Sequence, residues 1–391
     1  MNYSFSNKVQ GVKGSIIREM FKMLADPEII SFAGGAPAPE TFPTDQLAEI
    51  SAEILKNQGK LALQYGVTEG YAPLKDFIQS RNSENMKDYD RILVTAGGNQ
   101  ALDYVAKVMI DEGDVVICED PSFIGALNAF RTYGAKLISV KCEDDGMDIN
   151  ALEDALKANP GAKFIYTIPT FQNPSGTTMT LDKRKAMLAL AKQYNVLILE
   201  DNPYGDLRFD GEDVPTLKSM DDEGIVAYAG TFSKTLSPGL RVGFLICPEG
   251  LMEKIVICKQ VNDVHTGVLN QMIAAEFFKK YDFDEHVAKI RKLYRHKAHL
   301  MMDTMRETFP DFVTWTTPEG GLFLWGTINK DVDTVEVSKK CIANKVAFVP
   351  GSTFLDDVEK KSNSFRLNYT TMSDEKIVLG INKLAEVLKT L

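Results

Sequence analysis

Between residues 91 and 228 the chain repeats one pattern: a short apolar run, a loop, then a stretch with helical periodicity. The runs fall at 91–95, 114–118, 136–140, 163–167, 196–199 and 225–228. The stretches between them include 100–110, 123–133, 148–158 and 181–194, and in the last of these Met187, Leu190, Ala191 and Tyr194 share one helical face. A strand that is apolar throughout must be covered on both sides, and helices between strands allow parallel pairing. The pattern therefore predicts an α/β unit with a mostly parallel sheet between helices. In such a sheet ligands bind beyond the carboxyl ends of the strands, so the loops that follow the strands are where chemistry is expected.

The flanks read differently. Residues 1–45 form an arm, with a short helix expected over 12–24 that contains Arg18. Gly34-Gly35-Ala36-Pro37 marks a loop, either a plain tight turn or a place where backbone approaches a ligand. Residues 46–280 carry the α/β unit. Residues 281–391 read as a smaller α+β domain, with a long polar helix, a strand over 346–349, another at 365–369, and a last helix capped by Ser373 that buries Ile377, Ile381, Leu384 and Leu388.

Composition excludes several partners. With 44% hydrophobic residues the chain can bury a sizeable core. A net charge of −10 argues against nucleic acid, whose phosphates require a basic surface. No apolar run approaches the ~18 residues of a membrane helix, and the first ten residues lack the core of a signal peptide. The five cysteines include no CxxC pair, and Cys118 and Cys247 lie in apolar runs, as free thiols in a reducing compartment do. A cytoplasmic enzyme is expected. His296 and His299, three apart on the long helix among basic residues, lack a third metal ligand nearby and are read as a solvated face. His265 is read as a loop residue at the surface. No metal site is expected.

The strand ends carry five features in order. Gly98 and Asn99 open a helix and leave N–H groups for an anion. Phe123 opens the next helix, where it can stack on a planar ring or sit in the core. Asn173 precedes a proline, an amide donor or an ordinary turn. Asp201, at the end of a buried run and followed by Tyr204, needs a cation or several hydrogen bonds, or is a helix cap. The last loop is Thr231-Phe232-Ser233-Lys234-Thr235-Leu236-Ser237-Pro238-Gly239-Leu240-Arg241. Its lysine can form a Schiff base with an aldehyde, and its hydroxyls and arginine can hold a phosphate. One cofactor carries both groups, pyridoxal 5′-phosphate (PLP), and its protonated pyridine nitrogen would pair with Asp201.

With these residues in hand, the chain resembles the PLP-dependent aminotransferases of fold type I, class I/II. Within them it is most similar to the 2-aminoadipate/kynurenine aminotransferase branch, through Gly14-Ser15-Ile16-Ile17-Arg18-Glu19, Ser31-Phe32-Ala33-Gly34-Gly35-Ala36-Pro37, Gln64-Tyr65-Gly66, Pro169-Thr170-Phe171-Gln172-Asn173-Pro174-Ser175-Gly176 and Phe365-Arg366-Leu367-Asn368. The resemblance spans essentially the whole chain. It implies a sheet of the seven-stranded type, a homodimer with shared active sites, and ping-pong transfer of an amino group from an L-amino acid to a 2-oxo acid, 2-oxoglutarate foremost. It also implies roles. Lys234 would bind the cofactor aldehyde and shuttle the substrate proton. Asp201 would pair with the pyridine nitrogen, and Asn173 and Tyr204 with the ring oxygen. Phe123 would stack on the ring. Gly98, Asn99, Thr231, Ser233 and Arg241 would hold the phosphate, with Tyr65 reaching that of the neighbouring subunit. Arg366, assisted by Asn173, would clamp the substrate α-carboxylate beside Gly35. Arg18 would meet or release the substrate side chain, admitting 2-aminoadipate, aromatic and branched-chain amino acids.

Gly98-Asn99 stands where the family often has serine and glutamine, and Phe123 where it often has tyrosine. The implied phosphate site relies more on backbone N–H groups, and the ring contact keeps the stack without a hydroxyl. A PLP-dependent lyase or decarboxylase would use the same lysine stretch. A non-enzymatic regulator of this fold would place a DNA-binding domain ahead of it, where roughly thirty residues precede Gly34, fewer than the ~50 of a small domain.

Overall fold

The structure, a computed structural model, describes residues 5, 6, 8, 26, 28–357 and 359–391. Arg18 and the helix expected over 12–24 lie outside them. Among the described residues the strands are β1 (Ile30–Ser31), β2 (Asp90–Thr95), β3 (Val115–Asp120), β4 (Lys136–Glu143), β5 (Gly146–Met147), β6 (Phe164–Thr167), β7 (Leu197–Asn202), β8 (Val226–Thr231), β9 (Gly243–Pro248), β10 (Val313–Trp315), β11 (Phe323–Ile328), β12 (Val346–Ala347), β13 (Val349–Pro350) and β14 (Ser364–Asn368).

The large sheet runs β2-β9-β8-β7-β6-β3-β4-β5. From β4 through β3, β6 and β7 to β8 every pairing is parallel. The seven full strands meet the expected fold, with the two-residue β5 added at one edge. Side chains alternate between two apolar layers. Leu93, Phe164, Tyr166 and Leu199 enter one cluster, while Ile92, Val94, Ile165 and Ile198 point the other way. This double burial is why the strands read as continuous apolar runs.

β9 had no place in the alternating series. It returns antiparallel directly after the lysine stretch, paired with β8 on one side and β2 on the other. Thr231 faces Gly243 across the β8–β9 pair, so both ends of the lysine loop are held side by side.

A second sheet, β10-β11-β14-β13, is antiparallel throughout. The run expected as one strand over 346–349 is two. β12 pairs with β1, whereas β13 pairs with β14, and Phe348 is the step between the sheets. The β1–β12 pair, with Asn368 N–H donating to the Phe32 carbonyl (2.9 Å), lays residues 30–37 against the C-terminal part. The last helix, Asp374–Leu388, begins as expected: Ser373 Oγ accepts from Lys376 N–H, and Ile377, Ile381, Leu384 and Leu388 are buried. No helix among the described residues is long and apolar enough to cross a membrane.

Candidate active site

A cavity of about 290 Å³ opens at the carboxyl ends of the parallel strands. All of the described residues assigned to the site from the sequence line it except Tyr65; Arg18 lies outside the described residues. Tyr65 is 79% exposed and packs edge-on against His265 at 5.8 Å, outside this cavity.

Lys234 and Asp201 form the interior. Lys234 Nζ donates to the Gly35 carbonyl at 2.8 Å. Burial, with the Arg366 and Arg241 charges, lowers its pKa to about 8, against the pull of Asp201. Asp201 is buried, and burial raises its pKa to about 7. Its hydrogen bond from Tyr166 lowers it, Glu119 raises it and Lys234 lowers it. Such a carboxylate, with one hydrogen bond and no ion pair to any described residue, suits a cationic ring nitrogen. Burial pushes the Tyr204 phenol well up, opposed by Arg366.

An anion cradle lies beside them. The helix Gly98–Met109 has no side-chain cap, and while Gln100 N–H donates to the Gly97 carbonyl at 3.1 Å, those of Gly98 and Asn99 are available to an anion. Thr231 Oγ1 donates to Ser233 Oγ at 2.9 Å, and Arg241 Nη2 donates to the Ala96 carbonyl at 2.8 Å. The preceding Gly97 has φ +86°, and a Cβ there would lie 2.4 Å from Arg241 Nη2. The positive φ favours glycine at this position, and the missing side chain lets the guanidinium approach the backbone. An aldehyde-reactive amine, an acid for a ring nitrogen and a cradle of N–H, hydroxyl and guanidinium groups are the chemical complement of PLP.

Arg366 occupies the opposite wall. Its Nη1 donates to Asn173 Oδ1 (2.9 Å) and its Nη2 to the Ala33 carbonyl (3.0 Å), while the buried Nε has no partner. The guanidinium lies 4.1 Å from the Phe323 ring centroid and 5.0 Å from that of Phe354. Burial lowers its pKa to about 10, which leaves it cationic at neutral pH.

Tyr166 and Phe323 were not singled out from the sequence, since aromatic residues within strands read as core. The polar tip of Tyr166 in an otherwise apolar run was the available signal. Asn173 is held through its neighbour: Gln172 Nε2 donates to the buried Glu119 at 3.0 Å. His296 and His299 bond separate carboxylates, Asp374 at 2.7 Å and Asp210 at 2.8 Å.

Residues 28–384 match the family model described as aminotransferase class I and II. The aromatic-amino-acid aminotransferase 1 of Thermococcus litoralis is 42% identical over 98% of this chain and 94% of its own length. The 2-aminoadipate transaminase of Thermus thermophilus is 39% identical over 99% and 97%. The solved structure of Pyrococcus horikoshii kynurenine aminotransferase, in complex with PMP, superimposes with a TM-score of 0.95 at 38% identity, covering 99% of this chain and 97% of that one. Fold, cavity chemistry and these likenesses agree: the chain belongs to the aminotransferase class I and II family and is a PLP-dependent transaminase.

Proposed function

We propose that this transaminase transfers the amino group of an L-amino acid of the 2-aminoadipate, aromatic or branched-chain type to a 2-oxo acid, 2-oxoglutarate foremost. The observation that carries this reading is the cavity lining. Its cations among the described residues are Lys234, Arg241 and Arg366, and beyond them the wall includes Ala33, Ile124, Ile168 and Phe323. Each cation has a partner in this reading: the aldehyde, the phosphate and the α-carboxylate. None is left for a second carboxylate, so an apolar side chain needs nothing more, whereas an acidic one needs a cation from the arm. Arg18 is that cation here. The names of the relatives, which cover aromatic amino acids, 2-aminoadipate and kynurenine, support the same breadth.

The experiment is a panel of donors and acceptors with the PLP-loaded protein, run on wild type and Arg18→Gln. The expected result is a loss of about tenfold in kcat/KM for 2-aminoadipate and glutamate, as for one exposed charge-assisted contact, with leucine and phenylalanine within about twofold. Full retention of the acidic substrates would remove Arg18 from the site. Product formed in many turnovers without an acceptor, beyond one equivalent of enzyme, would favour a lyase or decarboxylase.

Pyridoxal phosphate supplies an aldehyde carbon that receives the amino group and a ring that draws off the electrons released at the substrate Cα. The protein's residues do the rest. Gly98, Asn99, Thr231, Ser233 and Arg241 would hold the phosphate and Phe123 would stack on the ring. Asp201 would pair with the ring nitrogen and keep it protonated, while Asn173 and Tyr204 would hydrogen-bond the ring oxygen. Arg366 takes the α-carboxylate beside Gly35, with its guanidinium already aimed by Asn173 and the Ala33 carbonyl. Lys234 Nζ would be the base that takes the proton from the substrate Cα and the acid that returns it.

The proposal includes a homodimer. Leu61, Leu63, Val67, Ile257 and Val261 are large, apolar and exposed, as is Tyr65, and Leu61 and Val67 line one groove with Tyr65, which supports a second copy covering this face and Tyr65 reaching that copy's phosphate. Sedimentation showing a monomer at assay concentration would exclude it. The division into an arm (1–45), a cofactor-binding part (46–280) and a C-terminal part (281–391) is supported by the large sheet ending at Pro248 and the second beginning at Val313. Limited proteolysis that cuts inside either sheet sooner than it cuts near residues 45 and 280 would count against it. The cytoplasm is the proposed location, supported by free Cys118, Cys247 and Cys341 in the core. Recovery of the native protein from an extracytoplasmic fraction would refute that.

A further inference from the structure

We infer that Tyr166 is a positioning residue for transamination: its phenolic hydrogen holds Asp201 Oδ2 and leaves Oδ1 for the pyridine nitrogen of the cofactor. This deepens the reading above and rests on Asp201 facing that nitrogen.

The placement follows from register. β6 and β7 are parallel, with Tyr166 beside Leu199. Residues 199 and 201 share a face of β7 by the period of two. The tyrosine side chain therefore runs one pleat along β7 and ends at Asp201, where its hydroxyl donates to Oδ2 at 2.9 Å. Its ring is fully buried and stands edge-on to Phe130 at 5.3 Å. Phenylalanine would pack there equally well, so the hydroxyl's partner, Asp201, is what distinguishes the residue.

The group is also a constant donor. Burial and the neighbouring Asp201 push the Tyr166 phenol far above its ordinary range, so it keeps its hydrogen wherever the enzyme works. Asp201 is faced by Glu119 from β3, Lys234 from the β8–β9 loop, Tyr166 and Tyr204. Glu119 opposes its charge and Lys234 favours it, but among the described residues Tyr166 alone gives Asp201 a hydrogen bond. Without that bond Oδ2 is buried and unpaired, the carboxylate is free to rotate, and its charged form is weakened at the point where it must face a cation.

The test compares wild type, Tyr166→Phe and Asp201→Asn as cofactor-free proteins, each titrated with PLP and with an analogue whose ring nitrogen is replaced by carbon. Tyr166→Phe is expected to bind PLP about tenfold more weakly, as for one hydrogen bond to a charged group, and to bind the analogue as wild type does. Once reloaded with PLP it is expected to show kcat reduced about tenfold, with KM for the amino donor within about twofold. If Asp201→Asn weakens PLP binding but Tyr166→Phe does not, the positioning role is overturned and the Asp201 reading stands. If neither weakens it, the Asp201 reading fails and this inference fails with it. Equal weakening toward PLP and the analogue would mean that the hydroxyl shapes the pocket without acting through the ring nitrogen, which also overturns the inference.

Discussion

Lys234→Ala is expected to slow turnover by about 10⁴-fold or more and to remove the absorbance of lysine-bound cofactor, because in the proposed reading it deletes both the group that binds the aldehyde and the base that moves the Cα proton. Lys234 is the single lysine among the described residues lining the cavity, so none of the other described lining residues can replace it. Single-turnover kinetics with a good amino donor would measure the effect, and a rate within tenfold of wild type would defeat the assignment. The unsubstituted lysine has its own signature. Burial, Arg366 and Arg241 hold its pKa at about 8, and only the neutral amine attacks an aldehyde. Below that pKa the neutral fraction falls tenfold per pH unit. Cofactor uptake by the cofactor-free protein should therefore quicken about tenfold for each unit of rising pH and level off above about pH 8. A flat profile through that window would place the lysine's titration elsewhere.

Arg366→Ala is the second large effect, an expected loss of about 10²–10³-fold in kcat/KM for every α-amino acid. Truncating one partner of a buried, hydrogen-bonded charge pair costs about 3–4 kcal/mol, and each 1.4 kcal/mol is a factor of about ten. Lysine should recover little of this. The guanidinium is packed against Phe323 and Phe354 and bonded to Asn173 and Ala33 at the same time, a geometry that a single ammonium group cannot reproduce. An amine substrate without a carboxylate separates the two roles, for it should react equally with wild type and variant. If that amine were slowed as much as an amino acid, Arg366 would be holding the cavity together and not the carboxylate.

Much of the fold was legible because parallel strands buried on both faces announce themselves as apolar runs. β9 was not placed because its direction leaves no mark: Gly243 to Pro248 is as apolar as its parallel neighbours, and only the pairing with β8 and β2 shows that it runs back. The division at Phe348 was hidden for a similar reason. An apolar run does not say where a chain steps from one sheet to another. The site was legible where it uses residue types that are awkward in a core, such as the aspartate ending β7, the Asn173-Pro174 pair and the lysine among hydroxyls. It was illegible where it uses ordinary core residues. The hydroxyl of Tyr166 has meaning only once the β6–β7 register is known, and Phe323 only once Arg366 is seen beside it. The glycine turn was read as an anion cradle, but not which glycine it depends on. Gly97 carries the positive φ and admits the Arg241 guanidinium, and its partner lies far along the chain.

The pairing of Thr231 with Gly243 closes the lysine loop at its base. Separating β8 from β9 would therefore scatter Lys234, Ser233 and Arg241 together. Linkage requires the converse. A ligand that engages all three groups must oppose that separation by its own binding free energy. Amide hydrogens along β9 should then exchange more slowly in the PLP-loaded protein than in the cofactor-free one, although β9 itself lies outside the cavity lining, making this interior strand a reporter of occupancy.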